Sequence, residues 1–410
     1  MKLYIDPGTG SMLFTILIGI IGAAFYSIKM LIVKLRFRLK GGKGVENSLT
    51  MPLAIFSDHK RYWNIFEPIC RELNEINMPV VYLTASSDDP ALSCPYRNVK
   101  AEFIGEGNKA FARLNYLNAK ILLSTTPGLN VLQWKRSKGV QYYVHIPHAA
   151  NDIVLYRMFG LDYYDAVLLS GDYQIESLRK LEKLRNLPEK EMVKVGIPYM
   201  DEIAKRFEEA PAVQNHQRTV LVAPSWGPSA LLSKYGSKII DALISTGYHV
   251  IIRPHPQSFT SEKEMINKLM TKYPDSEQLE WNQDSDNFDV LHRSDIMISD
   301  FSGVIFDFAL IQKKPVLYTD PKFDVGVYDA WWLDEPLWTE SALARIGRML
   351  SEEDIPNIKE LINECLEDKN LSSSIQEVKD ETWAYYGEGA KRVAEYLVKK
   401  SEELNGGNQQ

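Results

Sequence analysis

The chain has little cysteine: three residues in 410, Cys70, Cys94 and Cys365, far apart in the sequence. An odd count with no Cys-x-x-Cys pair excludes a disulfide framework and a cysteine zinc site, and fits a reducing compartment. It has no excess of positive charge either, the net charge being −7. Broad nucleic-acid binding needs a basic surface, so no nucleic-acid partner is expected. Internal repeats and long low-complexity tracts are missing. Gly41-Gly42-Lys43-Gly44 follows no strand and is not closed by Gly-Lys-Ser/Thr, so it is a flexible hinge and not a phosphate loop. The composition, 45% hydrophobic and 25% charged, is that of a globular protein. The length favours about two domains with additions.

One apolar run is long. Residues 12–28 carry no charge, and after Lys29 the run resumes to Val33. A helix over 12–33 is about 33 Å long, enough to cross a hydrocarbon core of about 30 Å. Lys29, Lys34, Arg36, Arg38, Lys40 and Lys43 follow with no acid among them. The bias puts the N-terminus outside and the remainder in the cytoplasm. A cleaved signal peptide carries its charge before the apolar stretch, which is not the order here. The expectation is a single-pass anchor at 12–33 and a basic linker at 34–50 that rests on anionic headgroups.

From residue 52 short apolar runs alternate with helical patterns. Strands are expected at 53–56, 80–83, 102–104, 121–124, 142–145, 167–169 and 193–195. The polar stretch 208–218 reads as a linker, after which strands restart at 220–223, 249–252, 296–299 and 316–318. Helices are expected near 237–246, 261–273, 303–312 and 340–350. This alternation marks parallel sheets with crossover helices. The predicted fold is α/β, two Rossmann-like domains facing a cleft. Their expected spans are 51–212 on the acceptor side and 213–375 on the nucleotide-donor side, with a C-terminal helix and tail at 376–410. Ligands of such sheets bind beyond the carboxyl ends of the strands.

Two motifs in the second half suit a phosphate. In Arg253-Pro254-His255-Pro256 a buried strand ends in a cation, an imidazole and two prolines that stiffen the loop. Arg offers a planar donor fork and His a hydrogen bond or a proton. In Ser299-Asp300-Phe301-Ser302-Gly303 a strand runs into an apolar helix, with Ser302 or Asp300 as a natural N-cap. The first-turn N–H groups and the helix dipole favour an anion, and Gly303 allows close approach. Asp307, inside that helix, reads equally as a ribose ligand or a structural ion pair.

In the first half an aromatic strand ends at His145-Ile146-Pro147-His148, followed by Asp152. The His-x-x-His spacing lacks a third ligand in view, so no metal is expected. General acid/base work by one histidine is expected, with Asp152 orienting it. His59, closing the first strand, is a candidate for meeting the acceptor.

At these residues the sequence resembles the CDP-glycerol glycerophosphotransferases of teichoic acid and capsule synthesis. The resemblance runs over roughly 140–320. It includes the His145-to-Asp152 segment, 195–201, Ala223-Pro224-Ser225-Trp226, the Arg-Pro-His-Pro and Ser-Asp-x-Ser motifs, 306–308 and Lys314-Pro315-Val316. It implies a GT-B-like enzyme without cofactor, in which an acceptor hydroxyl attacks the β-phosphate of CDP-glycerol and CMP leaves. It implies that His255 with Ser302 holds the donor phosphates and that His148 or His145 takes the acceptor proton; Ser225 and Trp226 are candidate supporting residues. The acceptor would be a membrane-linked polymer. Where the family has Trp-His-Gly-Thr, this chain has Val-His-Ile-Pro-His-Ala; His148, followed by a small residue, is the preferred equivalent. The competing expectations are a GT-B glycosyltransferase or epimerase using a nucleotide sugar, and a scaffold that only retains the fold.

Overall fold

The computed structural model describes residues 28, 51–150, 152–211, 213, 217–284, 286–300, 302–319 and 325–406. The expected anchor at 12–33 (Ile28 apart) and the basic linker lie outside them. Among the described residues no helix is long and apolar enough to cross a membrane.

Two parallel sheets form the frame. The first contains β1 (Met51–Ser57), β2 (Val80–Thr84), β3 (Val99–Phe103), β4 (Asn118–Ser124), β5 (Gly139–His145), β6 (Ala166–Leu169) and β7 (Glu191–Lys194), in the order β3-β2-β1-β4-β5-β6-β7. The second contains β8 (Thr219–Val222), β9 (His249–Ile252), β10 (Leu279–Trp281), β11 (Ile296–Ser299), β12 (Val316–Tyr318) and β13 (Gly347–Met349), in the order β10-β9-β8-β11-β12-β13. Every pairing is parallel. The central strands are continuous apolar runs because helices cover both of their faces: Leu53–Phe56, Val250–Ile252 and Ile296–Ile298 are all fully buried. Helix Trp63–Glu75 packs Ile65, Phe66, Ile69, Cys70 and Leu73 inward.

In each sheet the strand order reverses between two central neighbours, β1 with β4 and β8 with β11. Crossovers leave in opposite directions there, so the loops splay apart and open a crevice at the carboxyl ends. Both sequence motifs of the second half and both histidines of the first lie on such ends.

β10 and β13 were not expected. Residues 340–350 read as one helix, but the helix is Trp338–Ile346, and the chain then turns to pair β13 with β12. The proposed division at 375 falls inside helix Lys369–Thr382, whose Leu371, Ile375 and Val378 join the second core. The chain then returns to the first half, where helix Gly389–Gly406 packs Val393, Ala394 and Leu397 against the first sheet. The return is tight. A Cβ on Gly171 would lie 2.3 Å from the Glu381 carbonyl oxygen, and one on Gly196, at φ +90°, 2.4 Å from that of Ala384. Asp201 fixes the returning chain by accepting from Trp383 Nε1 (2.8 Å), Gly387 N (2.8 Å) and Gly389 N (2.9 Å).

Other contacts join the halves. The segment from Val325 to Leu337, which follows β12, lies on the first half. Its Asp329 N donates to the Tyr156 carbonyl (2.9 Å), and its carboxylate accepts from Phe159 N (2.8 Å) and the buried Arg185. Tyr199 donates its hydroxyl to Asp307 from the opposite half.

Candidate active site

The carboxyl edge of the first sheet carries three short segments. After β1, Ser57 Oγ donates to the His59 carbonyl (2.9 Å), and His59 Nδ1 accepts from Arg61 N (3.2 Å), capping the turn Lys60–Tyr62. His59 is therefore a cap, with an exposed ring. The turn presents Arg61, whose guanidinium donates to Tyr62 Oη at 3.0 Å. After β4, Ser124 Oγ donates to the Phe56 carbonyl (3.0 Å) and accepts from Thr126 N (3.1 Å), which ties the ends of β1 and β4 together.

After β5 the two histidines part company. His145 is fully buried. Its ring stands edge-on to Tyr156 and Tyr164, with centroids at 5.2 and 5.0 Å, and Nε2 lies 3.1 Å from Tyr156 Oη. Burial pushes its pKa down to about 3. No face is left for a substrate hydroxyl, which corrects its reading as a catalytic base. His148 is partly exposed, between Tyr62 (centroids 5.5 Å) and Tyr156 (6.3 Å). Burial and then the Arg61 charge hold it at about 4, so it is neutral near pH 7. Its Nδ1 is buried without a partner. Asp152 does not orient either histidine. Its carboxylate accepts from Thr339 N (3.1 Å), at the start of helix Trp338–Ile346.

On the second sheet most of the motif side chains serve the backbone. Ser299 is fully buried and donates to the Ala223 carbonyl (2.5 Å). Asp300, also fully buried, accepts from Ser225 N (2.9 Å) and Leu231 N (2.8 Å). Neither side chain reaches toward a phosphate, and a carboxylate would repel one. Arg253 is turned to Asn282 and to the Asp284 carbonyl (2.7 Å), so its fork braces the loop after β10. These three are corrected from ligands to supports. Helix Val304–Gln312 has Gly303 at its N-cap, in place of the expected Ser302 or Asp300, and its Ile305 and Phe306 N–H groups donate to the Ser302 and Gly303 carbonyls (both 3.1 Å). The positive end of the helix dipole at this glycine favours an anion.

His255 keeps its place at the cleft. Its Nδ1 accepts from Gln257 N (3.1 Å), which fixes the proton of the neutral ring on Nε2 as an outward donor. Its ring centroid lies 6.4 Å from that of the half-exposed Trp226. Ser225 Oγ is buried without a partner. Burial first, and the Arg61 charge next, lower the His255 pKa. Asp307 lies below this surface, and burial raises its carboxyl to about 6.

The two edges face each other. A Cβ on Gly303 would lie 3.9 Å from Ala149 Cβ, so the start of helix Val304–Gln312 abuts the loop that carries His148. Arg61, from the first half, acts on His148 and on His255 of the second. The structure thus gathers Arg61, His148, His255, Ser302 and Gly303 around one crevice. Sequence reasoning missed Arg61 and Tyr62; Arg61 stands among surface-like polar residues, and only its place two residues past the Asp58-His59 strand end carried a signal. Among the described residues no group of three or more His, Cys, Asp or Glu side chains is placed to hold a metal ion. The arrangement offers a cation, two imidazoles held below their ordinary pKa and a helix N-terminus, groups whose chemistry suits a phosphorylated ligand and a proton acceptor.

Comparison with known proteins gives two results. The family model for CDP-glycerol:poly(glycerophosphate) glycerophosphotransferase matches residues 160–397, more than half of the chain. Among solved structures, the wall teichoic acid polymerase TagF is similar at 17% identity and TM-score 0.56, over 93% of this chain and 97% of that one. A putative UDP-N-acetylglucosamine 2-epimerase from Listeria monocytogenes is similar at 12% identity and TM-score 0.57, over 86% and 96%. The UDP-GlcNAc 2-epimerase of Methanocaldococcus jannaschii is similar at 11% and 0.54, over 85% and 99%. At these identities the likeness is one of fold. No curated sequence matches.

Proposed function

The chain belongs to the CDP-glycerol:poly(glycerophosphate) glycerophosphotransferase family and is a transferase; from that premise we propose that it moves glycerol phosphate, or a related polyol phosphate, from a CDP-activated donor to a hydroxyl of a membrane-linked polymer. The observation that carries this reading is the approach of the His148 loop to the start of helix Val304–Gln312 from the opposite half, with Arg61 near enough to lower the pKa of both His148 and His255.

The donor diphosphate lies between the halves. His255 Nε2–H, Arg61 and the N–H groups at Gly303 take its negative charge, which grows on the leaving phosphate as the reaction proceeds. The acceptor oxygen attacks the β-phosphorus. A new P–O bond forms, the bond to the bridging oxygen breaks, and CMP leaves. His148 receives the acceptor proton. It is neutral in the free enzyme, and the arriving phosphates raise its basicity by placing negative charge beside it. His145 acts at one remove, through Tyr156, which packs against His148. The apolar segment 12–33 and the cations after it support attachment at the cytoplasmic face of a bacterial membrane, where a lipid-linked acceptor lies.

The test is to incubate the full chain with CDP-glycerol and a glycerol phosphate oligomer and to follow CMP. Release of CMP with growth of the oligomer is expected. No release, together with turnover of a UDP-sugar, would replace this reading with that of a nucleotide-sugar enzyme.

A further inference from the structure

We propose that Asp58 and Thr126, at the carboxyl ends of β1 and β4, form a hydroxyl-binding subsite for the polyol end of the acceptor. The inference rests on the transfer reading above and assigns the part of the crevice which that reading leaves unused.

The first observation is a concentration of unsatisfied groups. Asp58 Oδ1, Thr125 Oγ1 and Thr126 Oγ1 are all shielded from solvent and make no hydrogen bond of good geometry, although the Thr126 hydroxyl lies near enough to the Asp58 carboxylate to lower its pKa. Thr125 and Thr126 are 1% and 7% exposed. Folded chains rarely leave buried polar atoms unpaired, because each such atom loses its water without replacement. Three on two adjacent strand ends, at a reversal of strand order, mark a place where a ligand supplies the partners.

The second observation is that the surrounding groups are already committed. Ser57 and Ser124 donate to backbone carbonyls, and Tyr164 Oη donates to the Thr126 carbonyl at 2.6 Å. These bonds fix the loop and leave the two threonine hydroxyls and the carboxylate oxygen without a well-formed partner. Burial raises the Asp58 carboxyl above its ordinary value, against the opposing pull of Arg61 and of Thr126.

The third is the sign of the charge. A carboxylate repels phosphate and accepts readily from hydroxyl groups; a threonine hydroxyl both donates and accepts. Asp58 stands in the same short segment as Arg61, so β1 ends in a hydroxyl-binding residue and then a phosphate-binding one. A polyol phosphate presents the same two chemistries side by side. With its hydroxyls on Asp58 and Thr126, the acceptor enters beside Tyr62, whose ring packs against His148. Asp58 and Thr126 are in this sense binding and positioning residues, and the proton still goes to His148.

The experiment uses the full chain and the variants Asp58→Asn and Thr126→Val. In steady-state CMP release, KM for the oligomer is expected to rise about tenfold or more in each, the loss of one good hydrogen bond. KM for CDP-glycerol is expected to stay within about twofold, since one interaction lost on the acceptor side leaves donor binding intact. The unfolding temperature is expected not to fall in Thr126→Val, which removes an unpaired buried hydroxyl. An unchanged acceptor KM, or a donor KM that rises in parallel, overturns the proposal. A second arm titrates a glycerol phosphate oligomer into each protein without donor. Binding to the wild type that weakens in both variants supports the subsite; no binding to the wild type, or equal binding to all three, overturns it. If the wild type binds the oligomer but releases no CMP from CDP-glycerol, the transfer reading falls and the subsite stands. Thr126→Val is nearly isosteric and keeps the test valid should Asp58→Asn fold poorly.

Discussion

The carboxyl edges of the two sheets are built on opposite plans. On the second sheet the polar side chains are spent on the protein itself: Asp300 holds the 225–231 loop, Ser299 the end of β8, Arg253 the loop after β10. What remains uncommitted there is one imidazole, the helix N-terminus and the hydroxyls of Ser225 and Thr319. On the first sheet the loops are held by a few serine-to-backbone bonds, while Asp58, Thr125, Thr126 and His148 keep polar atoms without partners. The difference teaches that a stiff, pre-shaped edge suits a ligand part that never varies, a nucleotide diphosphate. An edge with open valences suits a part that is exchanged at each turnover.

The strongest way to break this contrast is at His148. His148→Ala should lower kcat for CMP release by about 10³-fold, the usual worth of a general base, with the fold intact. A change below about tenfold would move the base elsewhere. The next is Asp300→Ala. Two buried N–H groups lose a charged acceptor, and stability should fall by about 3 kcal/mol, read as an earlier denaturant midpoint. An unaltered midpoint would remove the claim that the second edge is self-supporting.

Arg61→Gln probes both edges at once. KM for CDP-glycerol should rise about tenfold for the loss of a charge-assisted phosphate contact. The pH profile should move as well. A base works when neutral, so activity falls on acidification through its pKa. In the wild type burial and Arg61 hold His148 at about 4 and lower His255, so the acid limb of kcat/KM stands well below the ordinary histidine value. Removing the cation moves the limb to higher pH; a stationary limb would show that Arg61 does not bear on the histidines. The smallest effect is expected of Ser299→Ala: about 1 kcal/mol of stability and less than about twofold in kcat, since its hydroxyl bonds only a carbonyl. A large kcat loss would return it to the phosphate site.

The same contrast governs what the sequence discloses. Long buried strands such as Val250–Ile252 and Ile296–Ile298 announce themselves as unbroken apolar runs, and helix Trp63–Glu75 by its spacing. β10 and β13 have three residues each and lie at the sheet edges, where burial is partial and pattern weak. β13 is also hidden because Ala342, Leu343 and Ile346 continue a helical rhythm up to its first residue. In the site, Arg-Pro-His-Pro and Ser-Asp-x-Ser point to the right crevice but not to the right atoms. Residue type shows that Arg253 and Asp300 carry charge, not that the charge is consumed by Asn282 or by Ser225 N. Arg61 reaches the crevice through a one-turn helix capped by His59, a local geometry without a sequence signature.

The latch at Asp201 has a mechanical consequence. The chain passes out of the first half between Glu209 and Thr219, touches it again over Val325–Leu337, and comes back for good between Thr382 and Gly389. Asp201 sits on the last helix before the outward passage and grips the backbone of the inward one. The two passages are thereby clamped side by side, like the knuckles of a door hinge. Pulling the returning strand of chain along the outgoing helix would break three hydrogen bonds to one carboxylate at the same time.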